Sequence, residues 1–291
     1  MSGTARTSAA ITITNALPTG VGCAVGIELH AEARVSISVD ASRQSASLEI
    51  PVEARTAIVE ESLRKGLSRF FPGPGAVARL SLRSEIPIAR GLKSSSAVAT
   101  AILLAVARAA GQKPTALEVG LLAAEVGRRA GVSATGALDD ALAGLEPGFV
   151  ITENSRGEVL RRSAVDPGWG VALYIPPESH PPSPNLIAAF SADRPAGERA
   201  ARAARTGDWA TAMRLNTELV ERTMGYSYGA IRDRLRMHGA ITSGVSGLGP
   251  TLAAIAPTER LADLVRAFPS DAAQKITVPF TRSSAMGVEN L

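Results

Sequence analysis

The sequence predicts a mixed α+β protein built in two halves. Three observations carry this reading. Short apolar stretches alternate with polar residues at period two, and longer stretches place apolar residues at helical spacing. The chain also changes character near residue 176, where a Pro-rich run interrupts the elements. Strands are expected at 9–14 and 31–39, with a Gly-rich turn over 19–26 between them, and at 46–52. A helix over 54–71 presents Ile58, Leu63 and Leu67 on one face and stops at Phe71, Pro72, Gly73. A strand over 77–86 leads into a helix over 97–110, and a further helix at 117–130 is closed by Gly131. The stretch 132–144 reads as a small-residue loop entering a short helix. Paired strands at 149–152 and 158–161 flank a turn at Ser155, Arg156 and Gly157, and 171–175 is a buried strand. The run 176–184 is either a linker or a lid. Helices at 195–206, 209–224 and 227–238 follow, then strands at 240–242 and 251–256, a helix at 261–268 and a last strand at 275–280.

Composition narrows the function classes. With 291 residues, 45% of them hydrophobic and 20% charged, the chain reads as a soluble globular protein with ample length for a core. No apolar run reaches the roughly 18 residues that span a bilayer, so no membrane partner is expected. Residues 1–10 hold no apolar signal core, and the lone Cys23 excludes an internal disulfide framework; a cytoplasmic location is expected. His30, His180 and His238 show no ligand spacing. The net charge of +4 is mild, and aromatics make up only 4% of the chain. A basic stripe interleaved with aromatics is missing, so no nucleic-acid partner is expected.

The most informative stretch is Pro87, Ile88, Ala89, Arg90, Gly91, Leu92, Lys93, Ser94, Ser95, Ser96 and Ala97. It joins an apolar strand to an Ala/Leu helix. Gly91 permits a tight turn, and three hydroxyls crowd a helix start whose N–H groups lack intrahelical partners. Such a start either seats a phosphate, with Lys93 adding a mobile positive charge, or is an ordinary Ser-capped helix. Neither the Walker loop spacing nor a Gly-x-Gly-x-x-Gly fingerprint is present.

Two further elements are ambiguous alone. Asp139 and Asp140 follow the small-residue loop from Ser133, as a catalytic pair or as acids favoured by a helix dipole. The glycines Gly244, Gly247 and Gly249, with Ser243 and Ser246, either approach a phosphate or turn the chain between strands.

In this order, the three elements resemble the GHMP kinase superfamily. Its motif Pro-x-x-x-Gly-Leu-x-Ser-Ser-x-Ala is met by Pro87, Gly91, Leu92, Ser94, Ser95 and Ala97. Its Gly-x-x-Asp element is similar to Gly136 to Asp139, and its C-terminal Gly-rich motif to Thr242 to Pro250. Within the superfamily the chain looks most like archaeal-type shikimate kinases, through Lys93 in the loop, Thr135 to Ala141, and the block from Thr12 to Ile27. One departure is Val21, which stands where those kinases usually carry lysine.

The resemblance implies a two-domain GHMP-kinase fold: an N-terminal α+β domain with the phosphate loop over 1–165 and a C-terminal ferredoxin-like α+β domain over 166–291. It implies ATP and Mg²⁺ as cofactors and shikimate as the small-molecule substrate. Pro87 to Ala97, with Ser246, Gly247 and Gly249, would bind ATP. Ser95 and Glu125 would serve the metal, though Glu125 could equally be a surface acid. Asp139 would orient the attacking hydroxyl and take its proton, with Lys93 offsetting phosphate charge and Asp140 in reserve. Asn15 would either recognise a substrate hydroxyl or cap a turn. Homoserine, mevalonate or pantoate are alternative acceptors, and a catalytically silent nucleotide-binding module is the alternative from another class.

Overall fold

The computed structural model describes residues 1–179 and 183–287. It opens on a long antiparallel ribbon, β1 (Ser2–Thr14) against β2 (Val21–Val39), in which Ser2 faces Ser36 and Thr14 faces Cys23. Both faces are buried where the ribbon is small and apolar, and from Ala31 onward β2 alternates, with Ala31, Ala33, Val35 and Ile37 inward and Glu32, Arg34 and Ser38 outward. β2 also pairs with β4 (Ala76–Ser84) at its far end and with β5 (Phe149–Glu153) near its start. β3 (Ser47–Glu49) and β6 (Glu158–Ser163) extend this six-stranded sheet at its two ends.

The expected turn over 19–26 is shorter than its glycines suggest. The chain turns within 15–20, and Gly22 and Gly26 lie inside β2. Their role is close approach. A Cβ on Gly26 would sit 2.2 Å from the carbonyl oxygen of Ala143, and one on Gly22 would lie 2.4 Å from the Asp139 carboxyl carbon.

Four helices cover the first sheet: α1 (Ala57–Phe70), α2 (Ser94–Ala109), α3 (Ala116–Arg129) and α4 (Leu138–Leu145). α2 packs on β1 and β2 and against the other three helices; Ile102, Leu103, Leu104 and six alanines make it apolar all round, which suits a central helix. In α4 every residue is buried, Asp139 and Asp140 included.

The second sheet is antiparallel in the order β10–β7–β9–β8, with β7 (Trp169–Ile175), β8 (Thr242–Val245), β9 (Leu252–Pro257) and β10 (Gln274–Pro279). Numbered within this half the order is 4-1-3-2, and the helices fall between the first and second strands and between the third and fourth. That is a ferredoxin-like arrangement with an enlarged first crossover. The crossover holds α5 (Pro184–Ala192), α6 (Arg194–Thr206), α7 (Trp209–Met224) and α8 (Gly229–Met237); α9 (Leu261–Ala267) precedes β10. α5 was not expected from the Pro-rich run. Ser183 caps it by accepting from the Leu186 N–H, and Pro184 takes a first-turn position where its missing N–H is no loss. The linker-or-lid expectation falls partly on residues 180–182, outside the described residues.

Period-two burial in β7 joins the halves. Val171, Leu173 and Ile175 belong to the same core as β1, β2 and α2, while Ala172 and Tyr174 face a second cluster with α7 and α9. Phe149 of β5 stacks on Trp209 of α7 at 4.7 Å, and the chain beyond β10 returns to β2, where Phe280 bridges Ile27.

Gly26→Ala is expected to lower stability by about 3 kcal/mol in urea or thermal unfolding, because the methyl meets backbone rather than a yielding side chain. Gly229→Ala, at the start of α8 with no neighbour inside 4 Å, is the matched control and should unfold like the parent or slightly later.

Candidate functional site

The loop after β4 changes backbone hand repeatedly. Ala89, Gly91 and Lys93 have φ of 56°, 84° and 64°, and the residues between them keep negative φ. Alternation of this kind turns successive N–H groups toward one side, forming a concavity suited to an anion. Lys93 is the last residue before α2, which starts without a side-chain cap. The first-turn N–H groups of Ser94, Ser95 and Ser96 therefore add to the same electropositive end.

Gly91 sits where no side chain fits, since a Cβ would lie 2.1 Å from the Ser246 carbonyl oxygen. The Ser246 hydroxyl donates to the Gly91 carbonyl (2.7 Å) and accepts from the Thr12 N–H (3.0 Å). The Thr12 hydroxyl accepts from the Gly247 N–H at 3.0 Å. One junction thus locks together β1, the loop before α2 and the Gly-rich loop after β8. Tyr226 and Tyr228 steady that last loop by donating to the carbonyls of Leu248 and Pro250, each at 2.9 Å.

These segments and α4 enclose a solvent-open cleft of about 1090 Å³. Ala89, Arg90, Gly91, Lys93 and the three serines line one wall; Gly247 and Gly249 line another, and Asn15, Asp139 and Asp140 complete it. Other residues singled out in the sequence lie elsewhere. Leu92 and Ala97 are buried in the core, Ser246 is buried at the junction, and Ile88 is 78% exposed; none of these lines the cleft, nor does Pro87. Glu125 also stands outside the lining and is engaged by Lys65 (2.6 Å) and Arg129 (2.9 Å). Val21 is a buried core residue of β2. Asn15 does both things considered for it: it lines the cleft, and its Oδ1 accepts from the Leu17 N–H at 3.0 Å in a turn.

Lys93 is tethered rather than mobile. Its ammonium lies 3.1 Å from Asp140 Oδ2, and both side chains are largely buried. Asp140 Oδ1 is buried with no hydrogen-bond partner among the described residues. Asp139 is held differently, by the Asn154 amide, which donates to Oδ1 at 3.0 Å. Burial first, and then the neighbouring Asp140 charge, push the Asp139 carboxyl up to about 7 against the opposing pull of Lys93 and Asn154. Burial also raises Asp140, against the pull of Lys93. The arrangement offers an anion seat, a fixed cation and a carboxylate poised to exchange a proton near neutrality.

The sequence reading missed Thr12, Asn154 and Gly22 as parts of this site. Thr12 and Gly22 lie in the N-terminal block that carries the family resemblance, so a trace of them was available. Asn154 follows β5 in a turn, and nothing in its sequence surroundings marks it.

Residues 57–146 match the N-terminal domain of GHMP kinases. The chain is 36% identical over 256 residues to a shikimate kinase of Pyrococcus abyssi, covering 88% of this chain and 92% of that one. It is 35% identical over 269 residues to a shikimate kinase of Pyrococcus furiosus, covering 92% and 97%. Among solved structures, the mevalonate kinase of Methanococcus jannaschii superposes with a TM-score of 0.70 at 12% identity, over 96% of this chain and 98% of that one. That last likeness is one of fold.

The raised Asp139 carboxyl has a consequence for stability. The native state keeps its proton to higher pH than the unfolded chain does, so stability falls as pH rises from about 4 to about 7. Above that window the folded protein carries the full cost of a buried charge. Asp139→Asn removes it, and should raise stability at pH 8 by on the order of 2 kcal/mol while leaving it nearly unchanged at pH 4. Denaturant unfolding at the two pH values checks this; an equal gain at both would contradict it.

Proposed function

The chain belongs to the archaeal-type shikimate kinases of the GHMP kinase superfamily, and we propose that it transfers the γ-phosphoryl group of ATP to the 3-hydroxyl of shikimate. The observation that carries the proposal is the identity to shikimate kinases across about nine-tenths of the chain. Its support in the molecule is the meeting of Lys93, Ser95 and Asp139 in one cleft.

Phosphoryl transfer needs positioning and charge neutralisation more than covalent help from the protein. The N–H groups of the loop before α2 and of the Ser94–Ser96 turn would cradle the ATP phosphates. Lys93, aligned by Asp140, would offset charge on the transferring group. Asp139 would accept a hydrogen bond from the shikimate hydroxyl and take its proton as the oxygen attacks phosphorus, so a carboxyl ionising near 7 suits the task. Arg128 and Arg156 line a second cavity that shares Ala16, Leu17, Ala134 and Thr135 with the cleft, and they offer the counter-charge for the substrate carboxylate.

The donor set fits Mg²⁺ that arrives with the nucleotide. Among the described residues no three His, Cys, Asp or Glu are grouped to hold a metal alone, and Ser95 lines the cleft. Ser95 would give the ion one oxygen, phosphate and water supplying the others, and the bound ion would neutralise phosphate charge. Glu125, already paired with Lys65 and Arg129, is the weaker of the two metal candidates. No helix among the described residues is long and apolar enough to cross a membrane, and we assign the reaction to the cytoplasm.

ADP release on mixing the protein with Mg²⁺, ATP and each acid in turn is the direct test. Shikimate should drive turnover. Homoserine, mevalonate and pantoate should fall short of it by up to about 10⁴-fold, because a missing hydroxyl leaves buried polar groups unpaired. Faster turnover of any of these would sink the substrate claim; nucleotide binding without turnover would mark a silent module.

In the same assay Asp139→Asn should lower turnover by about 10²-fold or more while ATP still binds. The parent's kcat/KM should rise with pH through an ionisation near 7, since the ionised carboxylate is the active form. Lys93→Ala should weaken ATP binding and slow turnover together.

A further inference from the structure

Asn154 directly follows β5, is 5% exposed, and lines the second cavity while its amide reaches the Asp139 side of the cleft. Its backbone N–H donates to the Gly20 carbonyl at 2.8 Å, which fixes the residue against the β1–β2 turn. The side chain is held at both ends. The Thr152 hydroxyl donates to Oδ1 at 2.6 Å, and Nδ2 donates to Asp139 Oδ1 at 3.0 Å and to the Thr135 hydroxyl at 3.3 Å. Only this orientation satisfies every group, because a carboxylate needs a donor and the Thr152 proton needs an acceptor.

We infer that Asn154 is the positioning residue for Asp139: its clamped amide holds Oδ1 and reserves the other carboxylate oxygen for the substrate hydroxyl. The inference rests on Asp139 as the proton acceptor. An NH₂ group can donate but cannot accept, so in this orientation it supports the carboxylate more strongly than the protonated acid, whose oxygens are weaker acceptors. Among the described residues, the ionisable groups in reach of Asp139 are Asp140 beside it on α4, Lys93 before α2 and the Cys23 thiol on β2. Lys93 is already bonded to Asp140, and the thiol is buried and held neutral. Among the described residues, Asn154 is therefore the one side chain whose hydrogen bond Asp139 does not share with its acidic neighbour.

Asn154→Leu keeps the approximate size and deletes the donor. At pH 7 kcat/KM should fall about fivefold, and the acid limb of the kcat/KM profile should move up by about one pH unit. Activity should recover at pH 9, and ATP affinity by calorimetry should be unchanged. A purely structural role would lower the rate at every pH and leave the limb in place; that result overturns the inference. Thr152→Val, which frees the amide to turn, should move the limb the same way by less, and it carries the test if Asn154→Leu does not fold. An unmoved limb in a folded Thr152→Val protein counts against the inference equally. If Asp139→Asn remains fully active, the acceptor assignment itself has failed. If Asp139→Asn is inactive and the limb stays put in the Asn154 and Thr152 variants, only the positioning role is lost.

Discussion

The buried hydroxyl of Ser246 is the constraint on which the site depends. It accepts from the N–H of Thr12 and donates to the carbonyl of Gly91, while Gly247 returns a bond to the Thr12 hydroxyl. Three segments separated by 79 to 235 positions in sequence meet there. A buried, fully bonded junction has a sharp geometry, because displacing any partner leaves an unpaired polar group in a low-dielectric interior. The hand of the loop before α2, the direction of its N–H groups and the course of the Gly-rich loop all follow from this junction. The missing Cβ of Gly91 is the steric condition that lets the loops come so close.

Electrostatics in the cleft oppose folding in the same place. Two carboxyl groups on the first turn of α4 are buried beside each other, with the Lys93 ammonium 3.1 Å from Asp140. Asp140 claims that ammonium. Asp139 has an amide, a helix start and proximity to Lys93, which together do not cancel its burial. A site of this kind is costly to the native state above neutral pH, and the large apolar core around α2 supplies the stability that tolerates it. The approach of α4 to β2 also depends on glycine: Gly22 makes room for the Asp139 carboxyl and Gly26 for the α4 backbone.

Much of this was legible along the chain. Helices α2, α3 and α7 and strands β4, β5 and β7 lie within a few residues of where hydrophobic spacing put them. The loop before α2, the Asp139–Asp140 pair and the Gly-rich loop were singled out because their order along the chain resembles that of the family, and parts of all three line one cleft. The failures have specific causes. Glycine was read as a turn-former at 22 and 26, where it serves close packing inside a strand. Proline at 184 was read as a helix breaker, although its position in the first turn starts α5. Lys93 was read as free because a partner on another element is invisible to local spacing.

The sequence by itself determined the class of most elements, the family, and the residue types able to seat a phosphate and move a proton. These are local properties: periodicity, backbone permissiveness at glycine, and intrinsic side-chain chemistry. Tertiary structure alone decided which of those residues act on one another. It gave Lys93 to Asp140 and Asn154 to Asp139, left Glu125 with Lys65 and Arg129 outside the cleft, and buried Val21 in the core. The ionisation of Asp139 belongs to this second group. Two adjacent aspartates have similar intrinsic acidity, and only burial and their separate partners across the fold set them apart.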